Sequence, residues 1–124
     1  IIKGQSKMDT AEINRRCLSG ESFLIASDGQ YLGKLCLNKF DAESILNEYG
    51  AYGSRYSNTS IYNQYSMYGS QYSSLSPFNL YTSTPPIIYL RGIKCGFLSI
   101  NNYLMGAIDP RQIQSWMQYN GLYY

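Results

Sequence analysis

The hydrophobic positions of this chain follow three patterns. Two short, nearly continuous apolar runs, "FLIA" (Phe23–Ala26) and "PIIYL" (Pro86–Leu90), each lead into a segment that alternates apolar and polar residues. Such runs and alternation signal strands. Near each end, apolar residues recur at helical spacing. Between the two runs, residues 44–86 hold few aliphatic side chains, and tyrosine is their commonest apolar residue.

The segments after the two runs align at a constant offset of 63 residues. In "SDGQYLGKLCLNKF" (Ser27–Phe40) and "LRGIKCGFLSINNY" (Leu90–Tyr103), the pairs Gly29/Gly92, Gly33/Gly96, Leu35/Leu98 and Asn38/Asn101 are identical. Leu37/Ile100 and Phe40/Tyr103 are alike in kind. "SDG" is a hairpin-turn signal, because glycine supplies positive φ without steric cost. Each copy therefore reads as strand, tight turn, strand. Alternation puts Leu35 and Leu37 on one face, matched by Leu98 and Ile100, with Cys36, Cys95 and Ser99 opposite. Gly33 and Gly96, inside strands, mark a bulge or a close backbone approach.

The tract between the hairpins repeats every sixteen residues. "SILNEYGAYGSRYSNT" (Ser44–Thr59) and "SIYNQYSMYGSQYSSL" (Ser60–Leu75) agree without a gap at nine positions, and "SPFNLYTSTPP" (Ser76–Pro86) begins a third copy. A disordered tract needs only composition, whereas a gapless register implies a repeated structural unit. The pattern predicts a short helical turn and an extended link in each copy. Ser44, Ser60 and Ser76 serve as N-caps, with Pro77 at the first helical position. Ile45, Tyr49 and Tyr52 then share a face, as do Ile61, Tyr65 and Tyr68. Gly53 and Gly69 end the turns with positive φ. The recurring Asn47, Asn63 and Asn79 have two readings: amides that tie a turn to its neighbouring link, or part of a polar ladder facing a ligand.

At the ends, "MDTAEINRRCLSG" predicts a helix capped by Asp9, with Glu12 three residues on and Gly20 beyond. "DPRQIQSWMQYNG" predicts another, with Asp109 as cap, Pro110 at the first position, Ile113, Trp116 and Met117 on one face, and Asn120–Gly121 as the stop. Trp116 reads as a core anchor. The fold class is a small α+β domain. Duplicated β-hairpins form an antiparallel sheet and bracket the sixteen-residue repeat of short helical turns, and a helix closes the chain. One domain spans residues 1–124: an N-terminal segment (1–20), a hairpin (23–40), the tyrosine-rich repeats (44–86), a second hairpin (87–103) and the helix (109–120).

Charge and composition narrow the function. The 124 residues carry a formal charge of +2, with no basic stripe for nucleic acid and no apolar run long enough for a membrane span. The chain has no histidine, no close carboxylate pair in a catalytic pattern and no phosphate-binding loop, so no catalytic residue, metal site or cofactor is predicted. Cys17, Cys36 and Cys95 allow one disulfide in any of three pairings, or buried inert thiols. The chain starts at Ile1 rather than Met, which a removed leader and a fragment both explain.

The combined pattern "D-G-x-x-L-G-x-L-x-x-N-x-F", then "S-I-x-N-x-Y-G-x-Y-G-S-x-Y-S" repeated, then "S-P-x-N-x-Y" and "P-P", resembles small uncharacterised bacterial proteins with this repeat, several of them with the look of exported proteins. The resemblance covers roughly residues 27–103. It implies a shared fold and carries over no activity and no site residues. The chain departs from the pattern in its N-terminal segment and at Cys36 and Cys95.

Tyrosine with Ser, Gly and Asn is contact chemistry, because it offers broad amphipathic surface at low entropy cost. The expected function is a non-enzymatic structural or adhesive module of the bacterial envelope or cell surface, in an extracellular, surface or periplasmic location. It would act through protein–protein contact, self-association included; a carbohydrate-binding module is the alternative. The candidate binding residues are Asn47, Tyr49, Tyr62, Asn63, Tyr65, Tyr72 and Asn79. If the repeat is ordered, amides near Gly53 and Gly69 exchange with solvent far more slowly than in a free peptide. Hydrogen exchange measured across residues 44–86 checks this.

Overall fold

A computed structural model describes residues 7–124. The start of the chain at Ile1 and the first residues of the N-terminal segment lie outside the described part. Helix α1 (Thr10–Leu18) begins as its sequence predicts: Asp9 is the N-cap, and its Oδ1 accepts from the Glu12 N–H at 2.9 Å. The Glu12 carboxylate turns away from the cap to bond Arg15 and Arg16. Two hairpins follow at a distance in sequence. The first is β1 (Phe23–Ile25) with β2 (Tyr31–Lys34), and the second is β3 (Ile87–Leu90) with β4 (Ile93–Leu98). A short β5 (Ala107–Ile108), a 3₁₀ turn at Pro110–Gln112 and α2 (Ile113–Tyr119) complete the chain. Asp109 Oδ1 accepts from the Arg111 N–H at 2.8 Å, so the predicted cap is in place, although the first turn it caps is 3₁₀.

The strands form one five-stranded sheet in the order β2-β1-β3-β4-β5. The two hairpins meet through their first strands, β1 against β3, antiparallel with Leu24 opposite Ile88. β5 joins β4 in parallel, so the sheet is mixed rather than purely antiparallel. A two-residue strand reaching β4 after a loop can run either way, and alternation gives no signal for so short a piece.

Both faces of the central strands are covered, which is why β1 and β3 read as continuous apolar runs. On one face, Leu24, Leu32, Ile88 and Leu98 pack with Ile45, Ile61 and Tyr68 of the repeat and with Ile113, Met117 and Leu122 near the C-terminus. Trp116 packs half-buried at the margin of this cluster. On the other face, Phe23, Ile25 and Tyr31 pack with Ile13 and Cys17 of α1, with Tyr52 and with Tyr89. The Phe23 and Tyr89 rings stack at 4.8 Å. β2 stops at Lys34, so Leu35–Leu37 leave the ladder and bond instead to Ser22 and Leu122. Cys36 is fully buried there, Cys17 is half-buried and Cys95 is exposed; all three thiols are free.

Residues 44–86 contain no helix, which corrects the expected helical turns. The chain runs as a series of tight turns that share their end residues. The N–H of Asn47 donates to the carbonyl of Ser44, that of Gly50 to Asn47, and the same three-residue step continues through Ser57, Ser60, Asn63 and Ser66, then through Ser73, Ser76, Asn79 and Thr82. A Ser or Asn oxygen at the head of a triplet accepts from the N–H two residues on, at 3.0–3.3 Å, as in Ser44 to Leu46, Asn63 to Tyr65 and Ser66 to Tyr68. The sixteen-residue period is five such triplets plus one inserted residue. The carbonyl of Gly50 accepts from both Gly53 and Ser54, and that of Ser66 from both Gly69 and Ser70. The sequence points to a helical face because a serine oxygen bonding forward along the backbone is also how an N-cap works, and because a step of three lies close to the helical repeat.

Gly53 and Gly69 do not have positive φ, contrary to the C′ assignment. They are glycine for lack of space: a Cβ at Gly53 would run into the backbone of Asn47, and one at Gly69 into the carbonyl of Asn63, with the Ile61 oxygen 2.7 Å away. Gly33 and Gly96 mark close approaches as well; a Cβ at Gly33 would meet Tyr52 and Ile45 within 2.8 Å, and one at Gly96 the Gly106 oxygen at 2.5 Å. Gly69→Ala is therefore expected to destabilise by about 3 kcal/mol, the upper part of the range for overpacking. A shift of the urea midpoint at unchanged slope measures it, and a neutral result would mean that the turn is looser than described.

Candidate functional site

The triplet scheme decides where each repeat side chain goes. All eight tyrosines of residues 44–86 sit at the third position of a triplet, including Tyr49, Tyr56, Tyr65, Tyr72 and Tyr81. Those five are 85–99% exposed. Tyr49, Tyr65 and Tyr81 are one period apart, and so are Tyr56 and Tyr72. Tyr52, Tyr62 and Tyr68 turn the other way. Tyr52 lies edge-on against Tyr31 at 5.1 Å, Tyr62 is half-buried against the main core, and Tyr68 is buried. Burial pushes the Tyr62 hydroxyl up to about 12.

The candidate binding residues thus divide. Tyr49, Tyr65 and Tyr72 are outward. Tyr62 is largely inward and reaches solvent along one side of a groove. Asn47, Asn63 and Asn79 are used at both ends of their amides. Each Oδ1 accepts from the N–H two residues on, at 3.0 Å. Each Nδ2 donates to the carbonyl six residues back, on Asp41, Ser57 and Ser73, at 2.9–3.1 Å. These amides lock one turn to the turn before the last. Asn101 repeats the pattern after β4: its Oδ1 accepts from Tyr103, and its Nδ2 donates to the carbonyl of Thr82 at the end of the array.

A groove of about 740 Å³ opens beside the second copy. Tyr62, Tyr65, Tyr72 and Phe78 supply aromatic walls, and Gln64, Ser70 and Gln71 supply polar groups. No charged side chain lines it. Sequence reasoning named three of the tyrosines and missed Gln64 and Gln71. The available signal was the comparison between copies, since Gln64 and Gln71 replace Glu48 and Arg55, the tract's two charged residues.

A second hollow, of about 630 Å³, lies between α1, the end of β2 and the β3–β4 turn. Its cations already have partners. Arg16 bonds Glu12 and Glu21 and lies 4.1 Å over the Tyr31 ring, Lys34 pairs with Asp41 at 2.7 Å, and Arg91 donates to the Asn120 carbonyl. The Tyr31 hydroxyl donates to Glu43 at 3.0 Å. Among the described residues, no group of His, Cys, Asp and Glu is placed to hold a metal ion, and no helix is long and apolar enough to cross a membrane.

One polar contact ties the array to the first hairpin turn. The Tyr68 hydroxyl donates to Asp28 Oδ2 at 2.9 Å, and Lys7 Nζ lies 3.0 Å from the same oxygen. Partial burial pushes the Asp28 carboxyl up, but hydrogen bonds from Lys7, Tyr68 and the Gln30 N–H outweigh it and hold the group below its ordinary value. Burial, with the neighbouring Asp28 carboxylate, pushes Tyr68 up; burial, with Glu43, does the same to Tyr31.

No family model, curated protein or solved structure matches this chain.

These shifts fix the sign of the pH dependence. Asp28 has a depressed folded pKa, so its contribution is complete above the ordinary carboxylate value and is lost as pH falls through the folded one. Tyr31, Tyr62 and Tyr68 have raised folded values, so their contribution is complete below the ordinary tyrosine value and fades as pH rises beyond it. Thermal unfolding against pH should therefore show a plateau with falls on both sides, below about pH 4 and above about pH 10. Asp28→Asn should flatten the acid limb, and Tyr68→Phe should cost about 1 kcal/mol at neutral pH.

Proposed function

We propose that this protein is a non-enzymatic structural or adhesive module of the bacterial envelope or cell surface, acting through protein–protein contact, self-association included. The observation that carries this reading is the outward set of tyrosines, Tyr49, Tyr56, Tyr65, Tyr72 and Tyr81, displayed on a hydrogen-bonded array. Turn-bonded backbone holds the attachment points of these side chains at set positions before any partner arrives, so little backbone ordering entropy remains to be lost on contact. Tyrosine is enriched in protein interfaces, and repetition suits a partner that is itself repeated or a further copy of the chain. The extracellular, surface or periplasmic location rests on the resemblance to small uncharacterised bacterial proteins with this repeat, several of them with the look of exported proteins. The absence of histidine supports a non-catalytic role. We read the two hairpins and the sixteen-residue copies as internal duplications; the equivalent roles of Asn38 toward Phe40 and Asn101 toward Tyr103 support this.

A second reading, carbohydrate binding, is favoured by the groove beside the second copy, where two of the open tyrosines, Tyr65 and Tyr72, stand with Tyr62, Phe78 and uncharged amides.

Replacing Tyr49, Tyr56 and Tyr81 together with Ser tests the contact reading without touching the groove. Self-association in sedimentation, or adhesion to cells, should fall while the thermal midpoint shifts little, because exposed substitutions cost roughly 0.5 kcal/mol or less each. A wild-type protein that stays monomeric at high concentration and does not adhere overturns the reading.

A further inference from the structure

The second copy of the repeat differs from the first in a way that the scaffold does not require. Both copies make the same backbone turns, and both use their asparagine amide to lock them. Where the first copy carries Glu48 and Arg55, the second carries Gln64 and Gln71. All four positions are exposed middle residues of triplets, free of any packing demand. Gln64 and Gln71 both line the groove, and among the described residues neither side chain is hydrogen-bonded to the protein, whereas Asn47, Asn63 and Asn79 each donate and accept within the array. Two unengaged amides therefore stand among Tyr62, Tyr65, Tyr72 and Phe78.

We infer that this groove is a binding site for a neutral oligosaccharide. The inference rests on the second, carbohydrate reading and gives it a place and a ligand class. Each amide offers two donors and an acceptor, a match for sugar hydroxyls, which both donate and accept. The ring faces offer apolar area to the C–H faces of a sugar ring. Polar groups placed beside aromatic walls in a concavity are a general feature of small-ligand sites. A charged glycan finds nothing to offset its desolvation, since no ionic side chain lines the walls. A peptide strand finds no sheet edge to extend, because the N–H and C=O groups at the triplet heads are spent on the turns. The first copy cannot form an equivalent neutral site, because its two matching positions are ionic.

Neutral glucan, mannan and galactan oligomers of four to six sugars serve as probes, with heparin and polygalacturonate oligomers as charged counterparts, in titrations followed by nitrogen–proton NMR. At least one neutral series should bind and shift the Gln64 and Gln71 side-chain amide signals. Gln64→Glu with Gln71→Arg, which restores the first copy's charges, should weaken that binding by about tenfold or more at an unchanged thermal midpoint. Gln71→Ala should weaken it less, and the Tyr49, Tyr56 and Tyr81 triple variant should bind as the wild type does. No binding by any neutral series, binding by charged oligomers alone, or neutral binding indifferent to the glutamine changes would each overturn the inference. Sedimentation of the same samples judges the contact reading separately, since the groove variants leave the outer row in place.

Discussion

The structure depends on one repeated bond: a Ser or Asn oxygen at the head of a triplet accepting the N–H two residues ahead, beneath a backbone bond that closes the same turn. Together they satisfy a large share of the polar backbone locally, which a chain segment with few aliphatic residues could not otherwise afford to order. Each bond contributes only about 1 kcal/mol net, but they recur every three residues and are reinforced by asparagine side chains reaching six residues back. Helix and strand ladders are alternatives to this arrangement, and dense Ser and Asn tips the balance away from both.

The array gains its permanence from the sheet. At one end Lys34 and Ser44 form a parallel bridge, and at the other the carbonyls of Pro77 and Pro86 accept from Ile100 and Leu98. Ile45 and Ile61, with Tyr68, then fill the face of β1 and β3 that α2 also covers. The inserted glycine in each full copy changes the phase of the triplets, and the next stretch packs back against the turn six residues earlier. Chemically alike triplets are sorted into inward and outward ones even within the uninterrupted run from Ser54 to Tyr68, where Tyr56 and Tyr65 face solvent and Tyr62 and Tyr68 face the core, which leaves a row of open tyrosines and an uncharged groove.

Local chemistry is what the chain announces by itself. The caps at Asp9 and Asp109 and the turn at Gly29 are readable, because each depends on residues close in sequence. The triplet was also present in the text as Ser or Asn at 54, 57, 60, 63 and 66 and again at 70, 73, 76 and 79. It resembles a helix start because the same side-chain bond caps helices and because Ile45, Tyr49 and Tyr52 fit a helical spacing.

Which tyrosines face outward could not be read locally, since Tyr65 and Tyr68 occupy the same triplet position and are bonded alike through their N–H groups. Their fates differ because one points at Asp28 and the sheet and the other at solvent. The parallel placement of β5, the burial of Cys36 and the gathering of Gln64, Gln71 and Phe78 around one groove were likewise decided in three dimensions. Sequence determined the local turn chemistry and its repeat, because those bonds close within a few residues; tertiary packing decided direction, because only a neighbouring surface distinguishes one face of a repeated turn from the other.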